Sequence, residues 1–168
     1  NDRPGIMLSS AVNKYADFYG VVCGQKIVFF TNNDSAYESA FCLHNKGIKV
    51  EAIIDIRDNS NSKIVKAVDD AGIKIHWSHT VVDTSGYKRL KNISVMRLSN
   101  DGMSVTGNRI KISCDCLGVS GGWSPAVHLF TQSGGKLSFD EENKVFLPNK
   151  YPSEQISIGS CNGDFEIS

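Results

Sequence analysis

The sequence has no excess of charge and no long apolar run. Among its 168 residues, 18 basic side chains balance 18 acidic ones, so bulk electrostatics gives no reason to expect a nucleic-acid partner. No stretch approaches the roughly 18 to 20 apolar residues that cross a membrane, and the segment 1–5 lacks the character of a signal peptide. These absences predict a soluble globular chain with neither a membrane nor a nucleic acid as partner.

Cysteine is too sparse for a disulfide scaffold. The cysteines are odd in number and widely scattered, which favours reduced thiols and a cytoplasmic location. They are Cys23, Cys42, Cys114, Cys116 and Cys161. The alternation of Cys114 and Cys116 predicts that both side chains lie on one face of a strand. Without a second Cys or His pair nearby, we interpret them as buried thiols and not as metal ligands.

Histidine is equally poor in metal-binding patterns. His44 falls inside the apolar stripe of a helical segment, which predicts a hydrogen-bonded core histidine. His76 and His79 flank Trp77 and Ser78 without a third ligand in the vicinity. We therefore expect no metal site and no catalytic histidine.

Apolar periodicity defines alternating strands and helices in the first half of the chain. The extended runs end at glycines or polar turns, and the helical stripes end at Gly20, Gly47 and Gly72. The predicted order is helix 9–19, strand 26–31, helix 35–46, strand 49–56, helix 64–71 and strand 73–77. Alternation of this kind implies right-handed crossovers and a parallel sheet.

The pattern changes after Gly86. Two longer extended runs, 88–98 and 105–114, are separated by an Asp-Gly turn and predict an antiparallel meander. A further apolar strand follows at 116–120. Together these segments predict an α/β protein, a Rossmann-like three-layer domain with a parallel sheet and an antiparallel β-meander.

The first strand-to-helix turn lacks the glycines of a dinucleotide-binding loop. In GxGxxG the first two glycines allow a tight turn and close approach of the pyrophosphate, but Thr31 and Asn33 stand in these places. Asp34 adds a negative charge, and Ser35 with Glu38 has the spacing of a capping box that would satisfy the helix's own amides. The sequence predicts a degenerate loop. Asp55, at the end of the next strand, has the position of a ribose-binding acid, a role that would apply only if the loop still binds NAD(H).

Three stretches give the sequence a family resemblance. The segments NDRPGIML (1–8), VFFTNNDSAY (28–37) and VSGGWSPAVHLFTQSGGKL (119–137) resemble the α subunit of heterotetrameric bacterial sarcosine oxidase. The resemblance includes the Thr-Asn-Asn-Asp turn and extends over nearly the whole chain. It implies that the chain is an internal segment of a longer subunit, equivalent to its second NAD(P)-binding-like fold of the thioredoxin-reductase type.

The resemblance also implies a division of the chain and a setting for its function. Residues 1–24 would be an N-terminal linker and helix, residues 25–150 a degenerate NAD(P)-binding-like domain, and residues 151–168 the return into a first dinucleotide-binding fold. The complex would oxidatively demethylate sarcosine to glycine, forming hydrogen peroxide and formaldehyde or methylene-tetrahydrofolate. It would contain β, γ and δ subunits, FAD and FMN, with NAD and folate sites in the α subunit. No catalytic residue is expected in this segment, and no cofactor in the isolated chain.

The carboxyl-terminal segment carries the residues that the resemblance assigns to NAD. Residues 158–163 resemble a Gly-x-x-Asn-Gly turn, so that Ser160, Phe165 and Ile167 would contact NAD in the full subunit. Two other hypotheses stay open on the sequence. In the first, the chain is a competent NAD(H)-binding domain with an atypical loop and Asp55 on the ribose. In the second, it is a stand-alone interaction domain without an oxidase partner.

Overall fold

A computed structural model describes residues 3–141, 145–152 and 154–165. The chain forms two compact units, Asn1–Gly122 and Trp123–Ser168. This division follows Gly122, and the boundaries expected after residues 24 and 150 stay predictions. No helix in the described ranges is long and apolar enough to span a membrane.

From residue 3 to residue 122, the first unit is built from three helices and eight strands. In chain order they are β1 (Ile6–Leu8), α1 (Ser9–Phe18), β2 (Ile27–Thr31), α2 (Ser35–Asn45), β3 (Val50–Asp55), α3 (Lys63–Asp70), β4 (Ile75–His76), β5 (His79–Ser85), β6 (Asn92–Leu98), β7 (Val105–Ser113) and β8 (Cys116–Ser120). The order β1-β8-β2-β3-β4 forms a sheet in which all four pairings are parallel. This confirms the α/β fold and the parallel core.

Alternate residues of the central strands face two separate apolar cores. Phe29 of β2 and Ile53 of β3 pack in a core that includes buried residues of all three helices. Their neighbours Val28 and Ile54 pack in a second core with Leu90 and other residues of the 90–95 segment. Because successive side chains of a strand point to opposite faces, helices cover one face of the parallel sheet and the meander covers the other. The three-layer arrangement is therefore confirmed.

The antiparallel sheet has one strand more than the sequence indicated. Its order is β5-β6-β7, so the strand His79–Ser85 pairs beside the two strands that were predicted. β5 is only half-buried along its length, and its weak apolar content hides it from periodicity. β1 was not expected as a strand either, because its three residues give too little pattern. Its pairing with β8 places residues 6–8 in the parallel sheet.

β8 passes unusually close to its neighbours at Gly118. A Cβ atom there would lie 2.7 Å from the ring of Phe29 in β2 and 3.5 Å from the Cα atom of Ser9 in α1. The contact with Ser9 is an ordinary one, but the Phe29 ring would have to move. Glycine is therefore needed here to make room for the Phe29 ring, and not because of a turn or a positive φ.

Two sequence-based placements are wrong. Cys114 and Cys116 are both buried, but Cys114 lies in the core beneath the meander and Cys116 in the core beneath the helices. The chain passes from β7 to β8 between them, so they do not share one face of a strand. His44 is exposed near the end of α2 and is not a core histidine, because the helix has already turned this position away from the sheet.

The described residues of the second unit form one short helix, a two-stranded sheet and a 3-10 turn. Its elements are α4 (His128–Gln132), β9 (Lys136–Asp140), β10 (Val145–Lys150) and the 3-10 helix Gly159–Asn162. β9 and β10 pair antiparallel, with Phe139 opposite Phe146 and their rings 5.1 Å apart. Phe130 of α4 is buried and meets Tyr151 edge to face.

Candidate functional site

The candidate site is the crevice at the carboxyl ends of β2 and β8. These strands are neighbours in the sheet: β2 continues through α2 to β3 on one side, and β8 lies on the other side, between β2 and β1. Ligands of open α/β sheets bind in the crevice outside the carboxyl ends of the strands. Two loops form the crevice, 31–35 after β2 and 120–122 after β8.

The Asn33 side chain fills the turn where a pyrophosphate would lie. Its Nδ2 atom donates to Ser120 Oγ at 3.0 Å and to the Ser120 carbonyl at 3.3 Å. Its Oδ1 atom accepts a hydrogen bond of 3.1 Å from the backbone N–H of Ser35, the first residue of α2. The amide side chain therefore closes the crevice and occupies a helix donor that a phosphate oxygen would otherwise use.

The predicted capping box at Ser35 and Glu38 is wrong. The Ser35 hydroxyl donates to Asn33 Oδ1 at 2.6 Å and lies 3.1 Å from Ser120 Oγ, so it faces the crevice and not the helix amides. The N–H groups of Tyr37 and Glu38 instead bond to the Asp34 carbonyl. The helix amides are still occupied by the chain itself, but through Asn33 and the Asp34 backbone.

The neighbouring residue Asn32 ties the two loops together. Its backbone N–H donates to the Ser120 carbonyl at 3.3 Å, and its side chain donates to the Gly121 carbonyl at 3.1 Å. Gly122 has φ +98°, and a Cβ atom there would lie 3.4 Å from Asn32 Nδ2. Only glycine adopts this conformation at low cost, so the 120–122 loop can close against Asn32.

Asp55 lies at the expected strand end, but its carboxylate is buried and already bonded. It is 0% exposed. One oxygen accepts from the Tyr37 hydroxyl at 2.8 Å and from Arg57 Nη2 at 2.7 Å, and the other accepts from the Arg57 backbone N–H at 2.9 Å. A ribose hydroxyl would have to displace Arg57 to reach this carboxylate in the described conformation.

Arg57 connects the second strand end to the degenerate loop. Its guanidinium lies 2.7 Å from Asp55 Oδ2 and 2.8 Å from Asp34 Oδ1, and it stands over the Tyr37 ring at 5.9 Å. The two positions that would contact the phosphate and the ribose are thereby joined by one internal cation. A bidentate, planar guanidinium suits this bridging role better than a lysine would.

The electrostatics of this cluster keep Asp34 ionised and Tyr37 neutral. Burial alone would raise the pKa of Asp34, but hydrogen bonds from Ser62, Arg57 and Ser60, with the charge of Arg57, lower it below its usual value. Burial together with the hydrogen bond to Asp55 raises the pKa of Tyr37, which keeps the phenol neutral.

The residues assigned to NAD by resemblance lie in the second unit. Ser160 is exposed within the 3-10 helix Gly159–Asn162, and Phe165 is 40% exposed. Ile167 lies outside the described residues. The turn around Ser160 is held by Gly163 at φ +92° and by a 3.0 Å hydrogen bond from the Tyr151 hydroxyl to Asn162. The NAD-contacting roles of these residues stay predictions.

The sequence did not reveal which groups close the crevice. Ser120, Tyr37 and Arg57 have ordinary local contexts and gain their roles only when distant elements meet. A signal was present for Arg57, since a cation two residues after a strand-end acid can fold back onto it. Among the described residues, no group of three His, Cys, Asp or Glu side chains could hold a metal ion.

Comparison with solved structures defines the class of fold. Thioredoxin reductase from T. acidophilum aligns with a TM-score of 0.60 at 16% identity, over 95% of this chain and 53% of that one. Bacillithiol disulfide reductase from Staphylococcus aureus also has a TM-score of 0.60 at 16% identity, over 98% of this chain and 53% of that one. The chain thus has the dinucleotide-binding fold of flavoprotein disulfide reductases.

Sequence comparison identifies the relatives more closely. The chain is 38% identical over 170 aligned residues to sarcosine oxidase subunit α of Corynebacterium sp. (strain P-1), and 35% identical over 162 to that of Rhizobium meliloti (strain 1021). These alignments cover 100% and 96% of this chain but only 17% and 15% of the relatives. No protein-family model matches. The resemblance is confirmed: the chain is homologous to one segment of sarcosine oxidase α subunits.

Proposed function

We propose that the chain serves as a structural, degenerate dinucleotide-binding domain in the α subunit of a sarcosine oxidase. The observation that supports it best is the Asn33 side chain, which bonds to both Ser120 and the first amide of α2. A pyrophosphate needs close backbone approach and free amides at this position. Here internal hydrogen bonds satisfy these groups, so the domain would have a structural role in the subunit and would not bind a nucleotide.

The wider activity follows from the relatives and is part of the same proposal. An α subunit belongs to a complex, and we place this chain in a cytoplasmic assembly with β, γ and δ subunits that oxidises sarcosine to glycine. FAD and FMN of the complex would perform the amine oxidation, with formaldehyde or methylene-tetrahydrofolate and hydrogen peroxide as products. NAD in the full α subunit would contact Ser160, Phe165 and Ile167. The degenerate crevice would not take part in the chemistry.

A calorimetric titration of the chain with NAD, NADP and FAD tests the degenerate site. Loss of several phosphate hydrogen bonds, each charge-assisted and worth roughly 1.5 to 3 kcal/mol, weakens binding by orders of magnitude. We expect no dissociation constant below about 1 mM for any of the three, because every loss of about 1.4 kcal/mol in binding free energy weakens binding tenfold. Micromolar binding that a bulky substitution at Asn33 abolishes would refute the proposal.

Two further outcomes separate the alternatives. If the chain were a competent NAD(H)-binding domain, Asp55→Asn would reduce NAD affinity at temperatures where the variant remains folded. If it were a stand-alone interaction domain, it would not co-purify with a flavin-carrying β subunit. Co-purification with that subunit, together with failure to bind free nucleotides, is the result that we expect.

A further inference from the structure

A second cavity lies at the opposite edge of the parallel sheet from the crevice. It has a volume of about 440 Å³ and is bordered by the residues that precede β2 and β8 and by the segment that leads into β6. Because parallel strands share a direction, their amino ends meet at one edge and their carboxyl ends at the other. The cavity is therefore separate from the nucleotide crevice and independent of the function proposed for it.

Three cationic side chains converge on this cavity. They are Lys26, before β2, and Arg89 and Lys91, before β6. Neither lysine forms an ion pair within the described part of the chain. The chain as a whole has equal numbers of basic and acidic residues, so this is a local concentration of positive charge and not a general excess.

The single carboxylate in the cavity is already committed. Asp115 Oδ1 accepts a 2.8 Å hydrogen bond from the backbone N–H of Lys26, and Oδ2 accepts one of 3.0 Å from that of Gln25. Its distance to Arg89 Nη2 is 3.9 Å, at the outer limit of an ion pair, and the same Nη2 donates a long hydrogen bond of 3.5 Å to the Asp115 carbonyl. The other donors of the guanidinium stay available for a ligand, and the cations outnumber the acid three to one.

The cavity has the size of a small-molecule site. Its volume falls within the roughly 300 to 1,000 Å³ that is typical of such sites. Leu90 and Cys114 border it, but each is at most 1% exposed, so neither offers a ligand an apolar surface. Burial raises the pKa of the Cys114 thiol to about 12, so this thiol adds no negative charge at ordinary pH. The exposed charges of the cavity therefore determine which ligand it fits, and they favour an anion.

We propose that the cavity lined by Lys26, Arg89 and Lys91 binds a small organic anion with a carboxylate or phosphate group. The anionic group would meet the guanidinium of Arg89 and the ammonium groups of the two lysines. Arg89 would determine orientation, since its planar donors match either kind of oxyanion.

The proposal is tested with three small aromatic probes. Isophthalate and phenyl phosphate present the two kinds of anionic group, and neutral isophthalamide is the control of matched shape for isophthalate. We expect both anions to bind in calorimetry, with shifts of the Leu90 and Cys114 amide signals in NMR spectra, and isophthalamide to bind at least about tenfold more weakly. The ratio of the two anion affinities distinguishes a carboxylate site from a phosphate site. Equal binding of the neutral probe, or no binding of either anion at probe concentrations up to about 10 mM, would overturn the proposal.

A matched pair of variants locates the site. Arg89→Gln/Lys91→Gln should weaken anion binding about tenfold or more, because it removes two of the three cations. Lys63→Gln/Lys66→Gln removes the same charge from α3 and should leave affinity within about twofold, since solvent and salt screen distant charges. All four positions are exposed, so thermal unfolding should show both variants folded. An equal loss of affinity in the two variants would show a bulk charge effect and contradict the site.

Discussion

Asn33 and Ser120 are joined by hydrogen bonds across the carboxyl ends of two neighbouring parallel strands. The Asn33 amide donates to the Ser120 side chain at 3.0 Å, although the two residues are 87 positions apart in the sequence. The same amide accepts from the first N–H of α2. One side chain thus does two things in this crevice: it links the loops and takes the place of a phosphate oxygen.

Replacing Asn33 by alanine should destabilise the first unit. The change removes hydrogen bonds to Ser120 and Ser35, and each is worth about 1 kcal/mol in a partly buried setting. We expect a loss of about 1 to 2 kcal/mol in the free energy of unfolding, measured by urea denaturation. Asn59→Ala, in an exposed loop, is the control and should change stability by less than about 0.5 kcal/mol. Equal effects of the two substitutions would contradict the bridging role.

Asp55→Asn should have a larger effect. The substitution places a neutral amide beside Arg57 at position 55, which is fully buried. Removing one partner of a buried ion pair costs about 3 to 5 kcal/mol in the free energy of unfolding. Because Arg57 is partly exposed and keeps Asp34, we expect the lower end, about 3 kcal/mol. Asp58→Asn, in the loop that follows β3, is the matched control because Asp58 is exposed. Thermal or urea unfolding that shows no difference between the variants would refute the buried role of Asp55.

The stability that Asp34 contributes should depend on pH. Its folded pKa is lowered, despite burial, by Ser62, Arg57 and Ser60. A lowered pKa means that the contribution is fully present above the unfolded value of about 4 and is lost as the pH falls through the folded pKa. The stability difference between the wild type and Asp34→Asn should therefore be constant from about pH 6 to 8 and shrink below about pH 4. A difference that grows toward acid pH would show the opposite sign and exclude the ion pair.

Cys114 and Cys116 should be the last thiols to react. Burial raises the pKa of each to about 12, and both are at most 1% exposed. Cys42 and Cys161 are partly exposed. Pulse alkylation at about pH 8 followed by mass spectrometry should modify Cys42 and Cys161 first, since the thiolate is the reacting form. Labelling of Cys114 or Cys116 at the same rate in folded protein would contradict their placement. Stoichiometric zinc in the purified chain would contradict their assignment as unliganded thiols.

The sequence predicted those elements whose signals are strong and local. β2 and β3 are rich in apolar residues because both faces of the sheet are covered, and α2 has a clear stripe with a glycine after its end. β1 and β5 were not predicted because each has a weak sequence signal. β1 has three residues, too few for any period, and β5 has alternating half-buried positions without a strong apolar set.

The sequence predicted that the chain itself would occupy the first amides of α2, but it indicated the wrong side chains. The expected Ser35–Glu38 capping box does not form, and the loss of nucleotide binding at this loop stays a prediction. A local spacing rule cannot know that Ser120 will arrive beside Ser35 from a remote strand and draw its hydroxyl into the crevice. The same limit applies to Arg57, whose partner Asp34 lies on a different loop.

The pairing of β1 with β8 has a consequence for synthesis on the ribosome. Ile6 is made near the beginning of the first unit, and its partner Leu117 near the end. Until β8 emerges, one side of β2 has no neighbour, and its exposed N–H and C=O groups form a template for pairing with other chains. Long-range parallel pairing of this kind forms late and slowly. A nascent chain that stalls before Cys116 would therefore be the form that most needs a chaperone.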